Sequence, residues 1–535
     1  MWRQLCGGSS PLIRIVVGAE TGSVGCPNHY DVPMREMRRS RGLLVLPVLM
    51  VAIAAAVPSV ASAQSGSTLP KIVKPALPAG TITKTYKVPL SIKPGQNLNL
   101  YDTIKANQRP SEAGWIVGFR PDLKFADGST PPVDQIHLHH LVMLLNNDII
   151  VASGEEKTHV TLPTGFGNPY KPTDRLVLNH MIHNFTANPE KVIFEYTVDF
   201  LPASAPAAAS MMGVQTQFVD VEGGKAYPVF DVKRNAGTNG RYTYPAQAPA
   251  SLSPRNRVRV QRDGTLVQTA GHLHPGGLYT DLFVTRGDKT VKIFRSNAHY
   301  YGAAKLASWN MSMGSTSPNW RVAVKRNDIL SVQVTYDTRK AAWYESMGIS
   351  PVALSDSPAG GTDPFTNLSA IDQTEVLTHG ELKENRDYGG RKTQGYADAR
   401  KLADGPTLSK VKIKDFVYKQ GDLTMPGKKG LPPLVAPGKS ITFVNEDPVL
   451  DIFHTITPCK APCDRSTGVS YPLADGVQVD SGELGFGPIG VTAAANRATW
   501  STPTYLKPGT YSYFCRIHPD MRGAWRVKKP KAAQR

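Results

Sequence analysis

A cysteine, a histidine and a methionine spaced three residues apart, Cys515, His518 and Met521, constrain this chain more than any other feature. They follow a strand-like run, Thr510-Tyr511-Ser512-Tyr513-Phe514, that starts after a Lys507-Pro508-Gly509 turn. A thiolate, an imidazole and a thioether in one tight loop suit a metal ion that changes oxidation state, because soft and borderline donors serve both forms. A second imidazole completes such a set. The alternating segment Ser440-Ile441-Thr442-Phe443-Val444-Asn445 leads into a loop that carries His454. The fold must therefore return a remote strand to the Cys515 loop, and copper is the ion these four donors fit best.

The rest of the chain reads as β-structure. Short alternating stretches recur between turn signals such as Lys93-Pro94-Gly95 and Asp127-Gly128-Ser129, and no long segment carries a helical period. At 535 residues, 41% apolar and 19% charged, the chain can bury several cores. An Ala/Pro/Ser stretch at 201–206 and a polar stretch after 355 divide it. The expected fold class is all-β: a leader with signal peptide at 1–63, a linker at 64–82, β-sandwiches at 83–205 and 206–355, a linker at 356–406, and a third domain at 407–535 ending in a basic tail.

The leader reading rests on Arg38, Arg39 and Arg41, an apolar run at 43–57, and Ala61-Ser62-Ala63, which has the small-x-small form of a signal-peptidase site. Translation is expected to start at Met34 or Met37, and the mature protein to be exported, periplasmic or secreted. Cleavage removes Cys6 and Cys26 and leaves Cys459, Cys463 and Cys515 in a compartment that permits disulfides. Cys459 and Cys463 are close enough to pair, which leaves Cys515 for a metal. The leader holds six arginines and three acidic residues, so the formal charge of +18 falls to +15. That charge reads as a solvated surface, with association to an anionic cell-envelope surface as the functional alternative. No motif supports nucleic-acid binding.

Before residue 400 the histidines cluster: His137-Leu138-His139-His140, His180-Met181-Ile182-His183 and His272-Leu273-His274. Residues two apart on a strand share a face, so His272 and His274 can chelate one ion. Adjacent His139 and His140 would point to opposite faces of a regular strand. They can serve one ion only with a bulge or a strand end between them.

Two resemblances follow from these residues. Residues 513–523 resemble the short ligand loop of the amicyanin group of cupredoxins, which implies a Greek-key sandwich over about 407–528 with one type 1 copper on His454, Cys515, His518 and Met521. The histidine groups, taken in order, resemble the two-domain copper monooxygenases typified by peptidylglycine α-hydroxylating monooxygenase and dopamine β-monooxygenase, over about 83–355. That resemblance implies two jelly-roll-like sandwiches and two further mononuclear coppers. One would take His139, His140 and His183, with His180 as the competing third ligand. The other, binding dioxygen and catalytic, would take His272, His274 and Met347, with Met311 and Met313 as fallbacks. Where the peptide-amidating members carry their substrate arginine, this chain has Ala270, which speaks against a peptide C-terminus as substrate. The neighbours of Cys515 are Phe514 and Arg516 rather than histidine, unlike multicopper oxidases and copper nitrite reductases.

The resemblances together imply an exported oxidoreductase that hydroxylates a C–H bond of a small organic substrate with O2, the type 1 copper relaying electrons from an external donor. The alternative is a non-enzymatic copper-binding or electron-transfer protein. His137, His159, His299 and His379 are expected to be structural or surface residues.

Overall fold

The computed structural model describes residues 69–529 except 134, 224–227, 249–255, 302–309, 340–341, 357–359, 383–395, 448–451, 464–478, 486–497 and 519. The leader, the proposed start sites and the end of the basic tail lie outside the described residues. Within them the chain is all-β, as expected, and no helix is long and apolar enough to cross a membrane.

Alternation builds the first sandwich. Along strand Glu190–Pro202, Val192, Phe194, Tyr196, Val198 and Phe200 are buried while Ile193, Glu195 and Thr197 stay partly exposed, the period of a strand with one face on a core. This strand lies between Ile82–Ile92 and Gly114–Phe125, which continues to Phe166–Tyr170. The opposing sheet runs Asn99–Thr103, Leu176–Asn184, Ile136–Leu145, Asp148–Ser153. Leu138, Leu141, Leu178 and Ile182 from this second sheet meet the aromatic face of the first in one apolar core.

Strand Met212–Asp220 begins just past a 3-10 turn at Pro206–Ser210 and pairs in parallel with Phe166–Tyr170 over two residues, so the first sandwich shares a ten-stranded sheet with the second. In the second sandwich, Met212–Asp220, Gly348–Ser355, Gly264–Thr269 and Val322–Val324 face a sheet centred on Gly277–Arg286 and Ile329–Asp337. The stretch 356–406, expected as a linker, is partly structural. Its strand Glu375–Leu377 pairs with Met311–Thr316 at the sheet edge, and Tyr396, Ala399 and Leu402 pack against Leu423 and Ala524 of the third sandwich. Apolar side chains such as Val376 and Leu377 find burial there that a solvated linker would not offer.

The third sandwich stacks a sheet of Val417–Tyr418, Lys410–Lys414, Thr442–Asn445 and Thr499–Ser501 on one of Leu434–Val435, Arg522–Val527, Gly509–Phe514 and Thr457–Cys459. Two of its pairings are parallel, Lys410–Lys414 with Thr442–Asn445 and Leu434–Val435 with Arg522–Val527, so the chain crosses between sheets instead of meandering. Trp525, Phe443, Tyr418 and Tyr513 fill the space between them. Cys459 and Cys463 form a disulfide, and Cys515 is the free, buried cysteine among the described residues.

The loop after Cys515 is wedged between the other two sandwiches. The Arg516 guanidinium donates to the Ala342 carbonyl at 2.8 Å and lies over the Trp343 ring, while Ile517 packs on Val133 and Phe185. On the first sandwich, a Cβ at Gly95 would come within 2.4 Å of the Phe416 ring, so only glycine allows that approach; its φ of +62° makes the same demand.

Candidate metal centres

The geometry of the third sandwich brings His454, Cys515 and His518 together, with ligand atoms all within 4.8 Å of one another. Strand Gly509–Phe514 ends at Cys515, and the turn that follows returns through a Met521 N–H bond to the His518 carbonyl and a Cys515 N–H bond to the Met521 carbonyl. The backbone N–H groups of Thr455 and His518 both point at Cys515 Sγ, each at 3.3 Å. Burial opposes ionisation of the Cys515 thiol, but the His454 and His518 imidazoles outweigh it and hold the thiol well below its usual range. Met521 is buried beside them in the same core.

His454 Nε2 is taken by Asp447, whereas its Nδ1 is buried with no hydrogen-bond partner. His518 Nδ1 lies 3.6 Å from Cys515 Sγ. A thiolate cradled by two N–H groups, an imidazole nitrogen left unsatisfied in the core and a nearby thioether fit a copper ion changing oxidation state.

The upstream histidines gather at the contact of the first two sandwiches. Pairing of Ile136–Leu145 with Leu176–Asn184 places His137 opposite His183 and His140 opposite Met181, with a register shift between Leu138 and His140. The bulge that the adjacent pair requires is therefore present at His139. With it, His139 Nδ1 and His140 Nδ1 come within 3.3 Å. Across the contact, His272 pairs with Ile349 in the ladder between His272–Leu273 and Gly348–Ser355. The Tyr336 hydroxyl accepts from the His274 and Met347 N–H groups and donates to the Met347 carbonyl, tying these two loops together.

The side chains then divide in a way that sequence order does not suggest. His139 stacks on His183 with ring centroids 4.7 Å apart and meets His274 edge-on at 4.6 Å. His140 keeps its Nδ1 beside that of His139, and its Nε2 lies 3.3 Å from Asn99 Oδ1. It lies within electrostatic reach of His272 and His180 and borders, with His272 and Met347, a cavity of about 390 Å³ whose walls include Val142, Leu144 and Ile349. His180 Nε2 is 2.9 Å from Asp102 and His272 Nδ1 is 2.9 Å from Glu156, carboxylates that fix each ring. Met311 and Met313 are sealed in the core of the second sandwich, away from Met347, which packs with Met181, Val229 and Ile349.

Burial, reinforced by neighbouring imidazoles, pulls His140 and His183 down to about 3, so both rings are neutral with a lone pair to offer. His183 Nε2 is buried with no hydrogen-bond partner. A neutral ring with a buried, unpartnered nitrogen is the form in which imidazole binds a metal ion.

Several residues of these centres carry no sequence signal that pointed to them. Glu345, half-buried, has a carboxylate oxygen within 4.8 Å of ring nitrogens of His139 and His183. Phe185 has its ring 6.4 Å from His518, 5.6 Å from His183 and 5.9 Å from His137. Asp447 and Glu156 orient their histidines. Of the histidines expected to be structural, His299 pairs with Glu375 and His159 lies against His379, but His137 belongs to the cluster, edge-on to His183 at 5.3 Å.

No protein-family model matches the chain, and no curated protein matches it. Among solved structures, the Cu-containing nitrite reductase (NirK) from Thermus scotoductus SA-01 is similar at 15% identity over 51% of this chain, with a TM-score of 0.14; the match spans 59% of that chain. The infectious bursal disease virus VP2 subviral particle is similar at 11% identity over 54% of this chain and 75% of that one, also with a TM-score of 0.14. Overlaps this loose assign no family, and the chemistry of the centres rests on the residues themselves.

Proposed function

We propose that this chain is an exported copper-dependent oxidoreductase of the monooxygenase type. The third sandwich is its electron inlet, with a type 1 copper on His454, Cys515, His518 and Met521. The histidine chamber between the first two sandwiches is the reaction centre. One observation carries the reading: the Phe185 ring touches His518 on one side and His183 and His137 on the other. A carrier meant to meet only outside partners has no need of that contact.

Copper held by His139, His140, His183, His272, His274 and Met347 would supply one-electron transfer and dioxygen activation. The chain's own part is positional. Asp447 and Glu156 fix the rings of His454 and His272, and the burial of Cys515 keeps water from the thiolate. The cavity beside His140, His272 and Met347 has a mainly apolar wall and suits a small, largely apolar organic substrate. Inserting one oxygen atom into its C–H bond while the other becomes water takes two electrons and two protons, which an external donor and solvent provide. The basic surface suits residence at an anionic cell envelope, in the periplasm or outside the cell.

The test is metal content and optical spectra of the copper-loaded protein, with oxygen uptake measured under a chemical reductant. Copper beyond the blue centre with reductant-dependent uptake, both reduced in His272→Ala, supports the reading. A single blue copper without uptake makes the protein an electron carrier instead.

A further inference from the structure

We propose that Glu345 of the second sandwich and His139 and His183 of the first form one metal site, a carboxylate and two imidazoles holding a divalent transition ion across the contact between the sandwiches. The inference rests on the reading of the histidine chamber as metal-binding. It changes the ligand set that the chain order suggests.

The donor atoms converge, all within 4.8 Å of one another. His139 and His183 are 2% and 5% exposed, and His183 Nε2 has no hydrogen-bond partner there, so a polar atom is held ready in the core at the cost of its hydration.

The backbone presents Glu345 deliberately. Its φ of +49° lies in the left-handed region that side chains avoid, and it persists because both flanks are pinned. Trp343 Nε1 donates to the Asp337 carbonyl at 2.5 Å, Ser346 pairs with Phe230, and Met347 N–H is held by the Tyr336 hydroxyl at 3.0 Å. This turn sends Glu345 to His139 and His183 while Met347, two residues on, borders the cavity with His140 and His272. Each short segment, 139–140 and 345–347, thus serves two different groups of donors.

Two imidazoles and a carboxylate are a harder set than the thiolate and thioether of the Cys515 loop and accept Cu²⁺ or Zn²⁺ readily. The site also lies beside Phe185, which packs on His183 and His518, so its occupant would adjoin the proposed electron inlet. An ion there would tie together two sandwiches whose shared sheet is joined, among the described residues, by two residue pairs.

The experiment titrates Cu²⁺, and separately Zn²⁺, into full-length metal-free wild type, Glu345→Gln and His183→Ala, reading bound metal per chain, the blue band and the metal-induced rise in Tm. Glu345→Gln is expected to weaken one site at least about tenfold and to lose most of the Tm rise, with the blue band intact as proof of folding. If Glu345→Gln does not fold, Glu345→Asp, one methylene shorter, is held to the same threshold. Wild-type affinity in the Glu345 variant while His183→Ala loses a site overturns this inference alone. Wild-type binding in His183→Ala as well overturns the metal reading of the chamber.

Discussion

Asp447 Oδ2 lies 2.5 Å from His454 Nε2, which leaves Nδ1 as the nitrogen that can share an ion with Cys515. The carboxylate fixes the ring's tautomer and rotation and makes the free nitrogen more basic. Asp447→Ala should therefore lower copper affinity at the blue centre by about 10- to 100-fold and alter the thiolate-to-copper band. Competition with a copper chelator, followed at that band, measures it. An unchanged midpoint would show that packing alone orients His454.

In the proposed electron path Phe185 is the bridge, its ring set between His518 and His183. Replacing it with leucine keeps an apolar filler and should cost only about 1 kcal/mol in stability, while removing the aromatic contact between His518 and His183. The blue band should keep its position and intensity, and its reoxidation by dioxygen after reduction should slow severalfold. Stopped-flow absorbance separates the two. Equal reoxidation rates in wild type and Phe185→Leu would put the path elsewhere.

How far the sequence reached depended on whether neighbours in the chain were also neighbours in chemistry. The Cys515 loop was legible because three donors lie within seven residues of one turn, and His454 because an alternating strand led to it. The bulge at His139 could be stated as a condition from strand geometry, since adjacent residues on a regular strand diverge. Which partners the two rings then take was beyond reach, for it depends on a second sandwich arriving across the contact. Glu345 and Phe185 were invisible for the same reason. Their roles come from tertiary approach and, for Glu345, from a left-handed backbone that no local motif announces. Strand Glu375–Leu377 escaped because three residues of pairing at a sheet edge leave almost no period to read.

Gly154 offers a test of the His272 side that replaces no proposed ligand, although a side chain there would press on His272 and on the His139 carbonyl. A Cβ there would sit 2.7 Å from Glu156 Oε2 and 3.0 Å from His272 Cε1, while the Gly154 N–H donates to Glu156 Oε1. Gly154→Ala should push the Glu156–His272 pair apart, costing about 1–3 kcal/mol by overpacking. Metal bound on the cavity side should weaken while the blue band stays. Metal counts and thermal denaturation report both effects, and a variant with wild-type values would mean the pair can shift without consequence.

Acid stability turns on a different pair. Burial disfavours the Asp199 carboxylate, but hydrogen bonds from Arg120 at 2.5 and 2.9 Å and from Thr83 at 2.6 Å outweigh it and hold the carboxyl below its usual range. A carboxyl whose pKa is depressed by folding stabilises the native state fully above its unfolded value, near 3.8, and that contribution fades as pH falls through the folded value. Stability of the first sandwich should therefore decline below about pH 4, as Asp199 protonates and leaves Arg120 without its counter-charge. Asp199→Asn should cost about 2 kcal/mol at pH 7 and show a flatter pH profile below about pH 4. Urea denaturation at pH 7, 4 and 3, followed by tryptophan fluorescence, measures both slopes. Parallel profiles for wild type and variant would assign the acid sensitivity to other carboxylates.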